Sequence, residues 1–344
     1  MPYPIEVSRI ANNAPNSPAK RELTLIRLIR QRASAASRGE VRLGIGDDCA
    51  LLRPRRGEEF AITTDLCIAG RHFWPATHPP ESIGHRAIAR GLSDLAAMGA
   101  RPVAAFVSLA VPKGLAGEWT RRFYDGLLTL ANAHKTKLAG GDLAEAPIPL
   151  ADIVLVGSVP SGKALLRSAA KQGQALYVTG TLGGSSAGLE RLAELTEKDE
   201  PFSNKQHGAG RLDFVALHLY PQPRIAQGLW LRKRRLAAAA IDISDGLSTD
   251  LMHLCEESGV SAEIDADLLP IFPGATLEQA LHGGEDYELL FTAPASTRIP
   301  KSIAGVPVTR IGRILRRVGK RPAITLKTAQ GSKPLEPRGW QHFD

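Results

Sequence analysis

AIDISDGLSTDL, residues 240–251, runs from an apolar stretch onto two aspartates, a serine and a glycine, and then into an amphipathic pattern. AAAIDIS at 238–244 has the apolar character of a strand, and 247–258 has the spacing of a helix. Between them Asp242, Ser244, Asp245 and Gly246 make a strand-to-helix turn that is acidic where a turn need only be polar. Asp245 and Gly246 also suit the cap of the helix that follows. Sheet passing into helix through a short turn is the mark of a layered fold that mixes the two.

The same chemistry recurs elsewhere. GIGDDCALL at 44–52 sets Asp47 and Asp48 on a glycine turn before Ala50, Leu51 and Leu52. TTD ends a strand with Thr63, Thr64 and Asp65, SDL places Asp94 in a helix, and GGD presents Asp142 beside Gly141. GGEDYE carries Glu285 and Asp286. Glycine lets backbone N–H groups approach an anion closely, whereas carboxylates repel one. The two belong together when a divalent cation lies between acid and phosphate, and magnesium binds in that way. A cation would also relieve the repulsion between Asp47 and Asp48. Each motif by itself is equally good turn chemistry. Asp94 is harder to assign to a turn, because Ile83, Ala87, Gly91, Asp94 and Met98 lie along one helical stripe with a core-facing character. A buried acid needs a partner: Arg90, a metal or ordered water.

The 344 residues are 43% hydrophobic and 23% charged, enough for two domains of ordinary globular composition. No run reaches the ~18 apolar residues of a membrane span, and MPYPIEVSRIANNAPNSPAK lacks a signal-peptide block, so a cytoplasmic chain without membrane contact is expected. Cys49, Cys67 and Cys255 are too few and too far apart for a disulfide framework or zinc site, and read as small buried hydrophobes. The net charge of +8 permits phosphorylated ligands, but an aromatic content of 5% leaves few stacking platforms for nucleic acid.

Helices are predicted at 21–32, 81–98, 117–135, 184–195, 212–219, 223–233 and 247–258. Strands are predicted at 41–46, 50–52, 60–65, 103–111, 151–159, 175–179, 238–244, 262–265, 288–292 and 306–312. Several are too close for an intervening helix, which favours antiparallel pairing and an α+β fold. Pro160-Ser161-Gly162 marks a boundary, so residues 1–20 read as a tail, 21–159 as one domain and 160–344 as a second. The polar stretch 196–211 reads as a mobile loop.

In order and spacing, GIGDDCALL, TTDLCIAGRHF, ARGLSDLAAMGARP, GGDLAEAP, LLRSAAKQG, VTGTLG, AIDISDGLSTDL, GGEDYELLFT and GWQHF resemble the thiamine-monophosphate kinases of the aminoimidazole ribonucleotide synthetase superfamily. The resemblance runs from residue 42 to 343. It implies ATP-dependent phosphorylation of thiamine monophosphate to thiamine diphosphate, by direct transfer with no covalent nucleophile. It implies an N-terminal ATP and magnesium domain that dimerises into a β-barrel, and a C-terminal α/β domain that takes the substrate. Carried across, Asp48, Thr63, Thr64, Asp65, Asp94, Asp142, Asp242 and Asp245 would hold several magnesium ions, with Asp47 behind them. Arg167, Ser244, Gly141 and His134 would contact ATP, and His72, Glu285 and Trp340 the thiamine substrate. Leu143, Ala144 and Glu145 stand where these kinases usually carry Thr-Thr-Arg, and His134 where a tyrosine often packs on adenine. The alternatives are another ATP-using superfamily member and a non-catalytic nucleotide- or nucleic-acid-binding protein.

Overall fold

Helix and sheet alternate from the first described turn. The computed structural model describes residues 18–33, 39–197 and 214–340, and the loop expected at 196–211 lies almost wholly outside them. The chain opens with α1 (Pro18–Ala33), the short hairpin strands β1 (Val41–Leu43) and β2 (Leu51–Leu52), then β3 (Glu58–Ile68) and α2 (Pro80–Ala97). Next come β4 (Arg101–Val111), α3 (Glu118–Ala133), β5 (Lys137–Glu145) and β6 (Leu150–Pro160). β7 (Gln174–Thr179), α4 (Gly184–Glu197), α5 (Phe214–Leu219), α6 (Ile225–Arg234), β8 (Ala240–Ile243) and α7 (Leu247–Ser258) follow. The chain continues through β9 (Val260–Asp265), α8 (Leu277–His282), β10 (Glu288–Pro294), β11 (Ser302–Ile303), β12 (Val306–Arg316), β13 (Ile324–Thr328) and β14 (Gly331–Pro334).

Two compact units result. One takes the described parts of Met1–Arg53, Thr64–Ile88 and Ala104–Val154, the other Pro54–Thr63, Ala89–Val103 and Leu155–Asp344. β3, β6, β4 and β5 form a four-stranded sheet in that order. β4 and β5 run parallel, Ser108 opposite Asp142, because α3 supplies the crossover that a parallel pair needs. Strands joined too closely for a helix do pair antiparallel, as β1 with β2, β11 with β12 and β13 with β14. β5 was not predicted as a strand; Gly140 and Gly141 interrupt its alternation and make it read as a turn. No closed barrel is present among the described residues.

α2 explains the character of its sequence. Pro80 opens it, where a missing N–H costs nothing. Ile83, Ala87, Ile88, Ala89, Leu92, Leu95 and Ala96 are all buried, so the helix is core on almost every side.

The second unit is built on an eight-stranded sheet in the order β14-β13-β9-β12-β7-β10-β8, with β11 paired to β12. α7 packs on it through Leu247, Leu251 and Leu254, against Leu176, Val178, Ile241, Ile243, Leu290 and Ile314. Leu251 is fully buried, and cutting such a side chain to alanine costs about 2–5 kcal/mol. That core holds the end of β8 and the start of α7 rigidly in place. β8 lies at the edge of the sheet and pairs with β10, Asp242 opposite Leu289. No helix among the described residues is long and apolar enough to cross a membrane.

Candidate active site

In the second unit, α2 presents Ser93 and Asp94 in succession. Ser93 donates its hydroxyl to Asp242 Oδ2 at 2.7 Å, and Thr63 of β3 donates to Asp94 Oδ2. Asp242 is 2% exposed. Burial pushes its carboxyl up to about 7, with the charge of Asp94 adding to the effect. Burial also raises Asp94; the Thr63 hydroxyl, Arg167 and Arg90 oppose this, and Asp245 reinforces it. Asp250 is raised well above the usual carboxylate range by burial and by the charges of Asp242 and Asp245. Four acids thus share one field, with Arg167 as a positive charge common to Asp94 and Asp242. Arg167 itself is exposed, in a single helical turn (Arg167–Ala169) that precedes β7.

Asp250 and Ser93, which no motif singles out, lie beside the candidate residues Asp245 and Asp242. Asp250 Oδ2 accepts the N–H groups of Ser244 and Asp245, each at 3.0 Å. It shapes the turn that aims Asp245. An acid in the first turn of the helix after DISDG is the one signal that could have found it. Of the Asp245-Gly246 pair expected to cap α7, Gly246 holds the cap position, and no side chain caps it. The helix reaches back to the turn through Asp250 instead.

Two further loops join this turn. Glu285 N–H donates to Ser244 C=O at 2.7 Å, and Tyr287 N–H to Ile243 C=O at 2.9 Å. Trp340 N–H donates to Asp245 C=O at 3.0 Å, and Gly339 N–H to Thr249 Oγ1 at 3.0 Å. Approach is close enough that a Cβ on Gly339 would lie 1.8 Å from the Asp245 oxygen. Glu285 and Tyr287 have φ of +64° and +51°, a conformation that costs non-glycine residues on the order of 1–3 kcal/mol and gathers at functional sites. Ser244, Asp245, Glu285 and Trp340 are therefore brought together, with Trp340 47% exposed. Asp286 has another task. Its carboxylate accepts the N–H groups of Gly183 at 2.7 Å and Ser185 at 3.1 Å, closing the start of α4, and burial pushes it up to about 7.

The first unit holds Asp47, Asp48, Thr64, Asp65, His72, His134, Gly141 and Asp142. Asp47 and Asp48 are exposed, and Asp47 Oδ1 accepts the Asp48 N–H at 2.9 Å, an arrangement that fixes the turn. Cys49 is exposed rather than buried, and Leu51 is 57% exposed, because β1 and β2 form a two-stranded ribbon with an open outer face. Thr64 faces out from β3, while Asp65 is half-buried. Asp142 lies within β5, not at a turn, and its charge adds to burial in raising the Tyr124 hydroxyl. Beside it Gly141 has φ +149°, and a Cβ there would lie 2.0 Å from the Val107 oxygen. His134 ends α3 half-buried, which lowers its pKa. His72 Nδ1 accepts the Ile68 N–H at 3.1 Å, so that nitrogen carries no proton.

Among the described residues no three His, Cys, Asp or Glu side chains are gathered closely enough to hold a metal ion by themselves. Hard oxygen donors whose charges raise one another still fit magnesium, which takes one or two carboxylates and fills its sphere with water and phosphate oxygens.

Residues 46–159 match the N-terminal domain, and residues 171–321 the C-terminal domain, of the family described as AIR synthase related protein. The thiamine-monophosphate kinase of Salmonella typhimurium is 41% identical over 291 residues, covering 81% of this chain and 86% of the relative. The chain belongs to the thiamine-monophosphate kinase family. Among solved structures, the thiamine-monophosphate kinase of Stenotrophomonas maltophilia superposes with a TM-score of 0.75 at 38% identity, covering 87% of this chain and 95% of that one. The structure described as AaThiL complexed with AMPPCP and TMP superposes with a TM-score of 0.72 at 32% identity, covering 96% of this chain and all of that one (100%). The two-domain mixed fold is therefore that of the AIR synthase related family. Arg167 and Trp340 fall outside the two segments matched to the family domains, so their placement comes from the geometry above.

Proposed function

We propose that this chain is an ATP-dependent kinase that phosphorylates thiamine monophosphate to thiamine diphosphate. Its relatives are thiamine-monophosphate kinases, and a structural neighbour is complexed with AMPPCP and TMP. The observation that carries the reading is the field around Asp94 and Asp242: mutually repelling acids, a shared arginine, and loops bearing Ser244, Asp245, Glu285 and Trp340 beside them. Phosphoryl transfer asks chiefly for positioning and charge neutralisation, and this arrangement supplies both.

Transfer is direct and in line. The bond from the γ-phosphorus to the bridging oxygen of ADP breaks as a bond to an oxygen of the acceptor monophosphate forms. A phosphate monoester, with a second pKa of about 6, is already ionised at neutral pH, so no strong general base is required. Asp48, Thr63, Thr64, Asp65, Asp94, Asp142, Asp242 and Asp245 would hold several magnesium ions, with Asp47 fixing the turn behind Asp48. When bound, magnesium neutralises the transferring phosphoryl group. Arg167, Ser244, Gly141 and His134 hold ATP, while His72, Glu285 and Trp340 orient the thiamine, Trp340 by stacking on a flat heterocycle. The chain works as a homodimer whose N-terminal sheets close a barrel. Support for this is the exposure of Ile62 (63%) and Leu66 (51%) on β3, an outer strand of its sheet.

The test is turnover by the purified chain with ATP, magnesium and thiamine monophosphate. ADP and thiamine diphosphate should form in equal amounts, and a chelator should stop both. Absence of both products overturns the reading, and salt-sensitive nucleic-acid binding in their place would put a binding role first.

A further inference from the structure

A buried histidine stands behind Glu285. His218 of α5 is 2% exposed. Its Nδ1 lies 3.1 Å from Ser185 Oγ and 3.8 Å from Glu285 Oε2. With the proton on Nδ1 the ring donates to Ser185 Oγ at 3.1 Å and turns the positive side of its dipole to the Glu285 carboxylate at 3.8 Å. With Nδ1 bare, a lone pair would face a carboxylate. The geometry therefore favours the Nδ1–H form, which attracts Glu285 while Ser185 accepts from the ring.

The surroundings hold this contact in one place. Leu192 of α4 and Val215 and Leu219 of α5 form a small apolar cluster of their own, which seats the short helix that carries His218. Ser185 ties two sides of the loop: its hydroxyl meets His218, and its N–H donates to Asp286, the residue after Glu285. Glu285 has φ +64° and donates its own N–H to Ser244 C=O, so its backbone is fixed in a strained form. His218 meets the carboxylate of this fixed residue at 3.8 Å and so bears on its direction.

We propose that His218, supported by Ser185, is a positioning residue that holds the Glu285 carboxylate in its direction toward the acceptor substrate. This rests on the reading of Glu285 as a substrate contact. A carboxylate left to rotate would lose part of its interaction with the acceptor and none with ATP.

Steady-state kinetics with the full chain test this, starting with the unsubstituted protein. If that protein forms no thiamine diphosphate, the kinase reading falls and the proposal with it. If it turns over, His218→Leu should raise KM for thiamine monophosphate by about three- to tenfold, through the lost electrostatic contact with a carboxylate 3.8 Å away, with KM for ATP changed less than about twofold. His218→Asn, whose amide N–H can stand in for Nδ1–H, should recover most of that loss. The effect of His218→Leu should also vanish in a Glu285→Gln background, because the two act through one contact. Equal rises in both KM values, no recovery by asparagine, or additive effects would overturn the proposal. Should His218→Leu fail to fold, Ser185→Ala leaves the ring in place and should raise the same KM by about threefold; an unchanged KM there overturns it equally.

Discussion

Adding one methyl group at Gly339 tests how the acceptor end of the site is built. The backbone there is not in the left-handed region, so alanine brings no conformational penalty of that kind. What it brings is a Cβ 1.8 Å from the Asp245 oxygen and 2.6 Å from Thr249 Oγ1. The segment must move away, and the hydrogen bonds Trp340 N–H to Asp245 C=O and Gly339 N–H to Thr249 Oγ1, both 3.0 Å, are lost. At about 1 kcal/mol each, the two together come to ~2 kcal/mol, or about thirtyfold in an equilibrium constant. If Trp340 binds the thiamine, Gly339→Ala should raise KM for thiamine monophosphate by about ten- to thirtyfold, with KM for ATP within about twofold. Leu335, buried just upstream, should keep the rest of the fold closed, so the melting temperature should fall by no more than ~2–4 °C. An unchanged KM for thiamine monophosphate would refute the role given to this contact. Equal rises for both substrates would show a general disturbance instead.

Other outcomes follow from the same geometry. Asp65→Asn should abolish turnover while leaving the circular dichroism spectrum largely unchanged, because the half-buried side chain keeps its shape and loses its charge; retained activity would remove it from the metal set. Trp340→Ala should raise KM for thiamine monophosphate more than KM for ATP, and equal effects would contradict stacking. Asp286 gives a pH test in the unliganded chain. Its folded-state value of about 7 lies above the ordinary 3.8, so the folded form binds the extra proton. Its contribution to stability is full below about 4 and is lost as pH rises through about 7. Denaturant unfolding from pH 4.5 to 7.5 should therefore show a shallower decline in Asp286→Asn than in the parent, and parallel curves would refute the assignment.

Much of the fold was legible because periodicity reports burial directly. The strand at 238–244 and the helix at 247–258 appear as β8 and α7, and the stripe through Asp94 appears in α2. β5 escaped because two glycines erase its alternation, and its pairing partner β4 lies across α3. Of the Asp245-Gly246 pair that suits a helix cap, Gly246 holds the cap position, while Asp250, reaching back from within the helix, accepts the N–H groups of Ser244 and Asp245. The apolar neighbours of Cys49 suggest burial, but it is exposed, on a two-stranded ribbon whose outer face nothing in its own sequence covers.

By itself the sequence determined that this chain carries acids on glycine-bearing turns, in an order and spacing that fit one family and one kind of chemistry. Which acids share a field was decided only by the tertiary structure. Ser93 meets Asp242 across 149 positions of chain, and Thr63 meets Asp94 across 31. The energy of a buried carboxylate depends on charges and donors a few ångströms away in space. Asp286 therefore became a helix anchor and Asp242 a buried member of the acidic group, although both stand in motifs that look alike in the sequence.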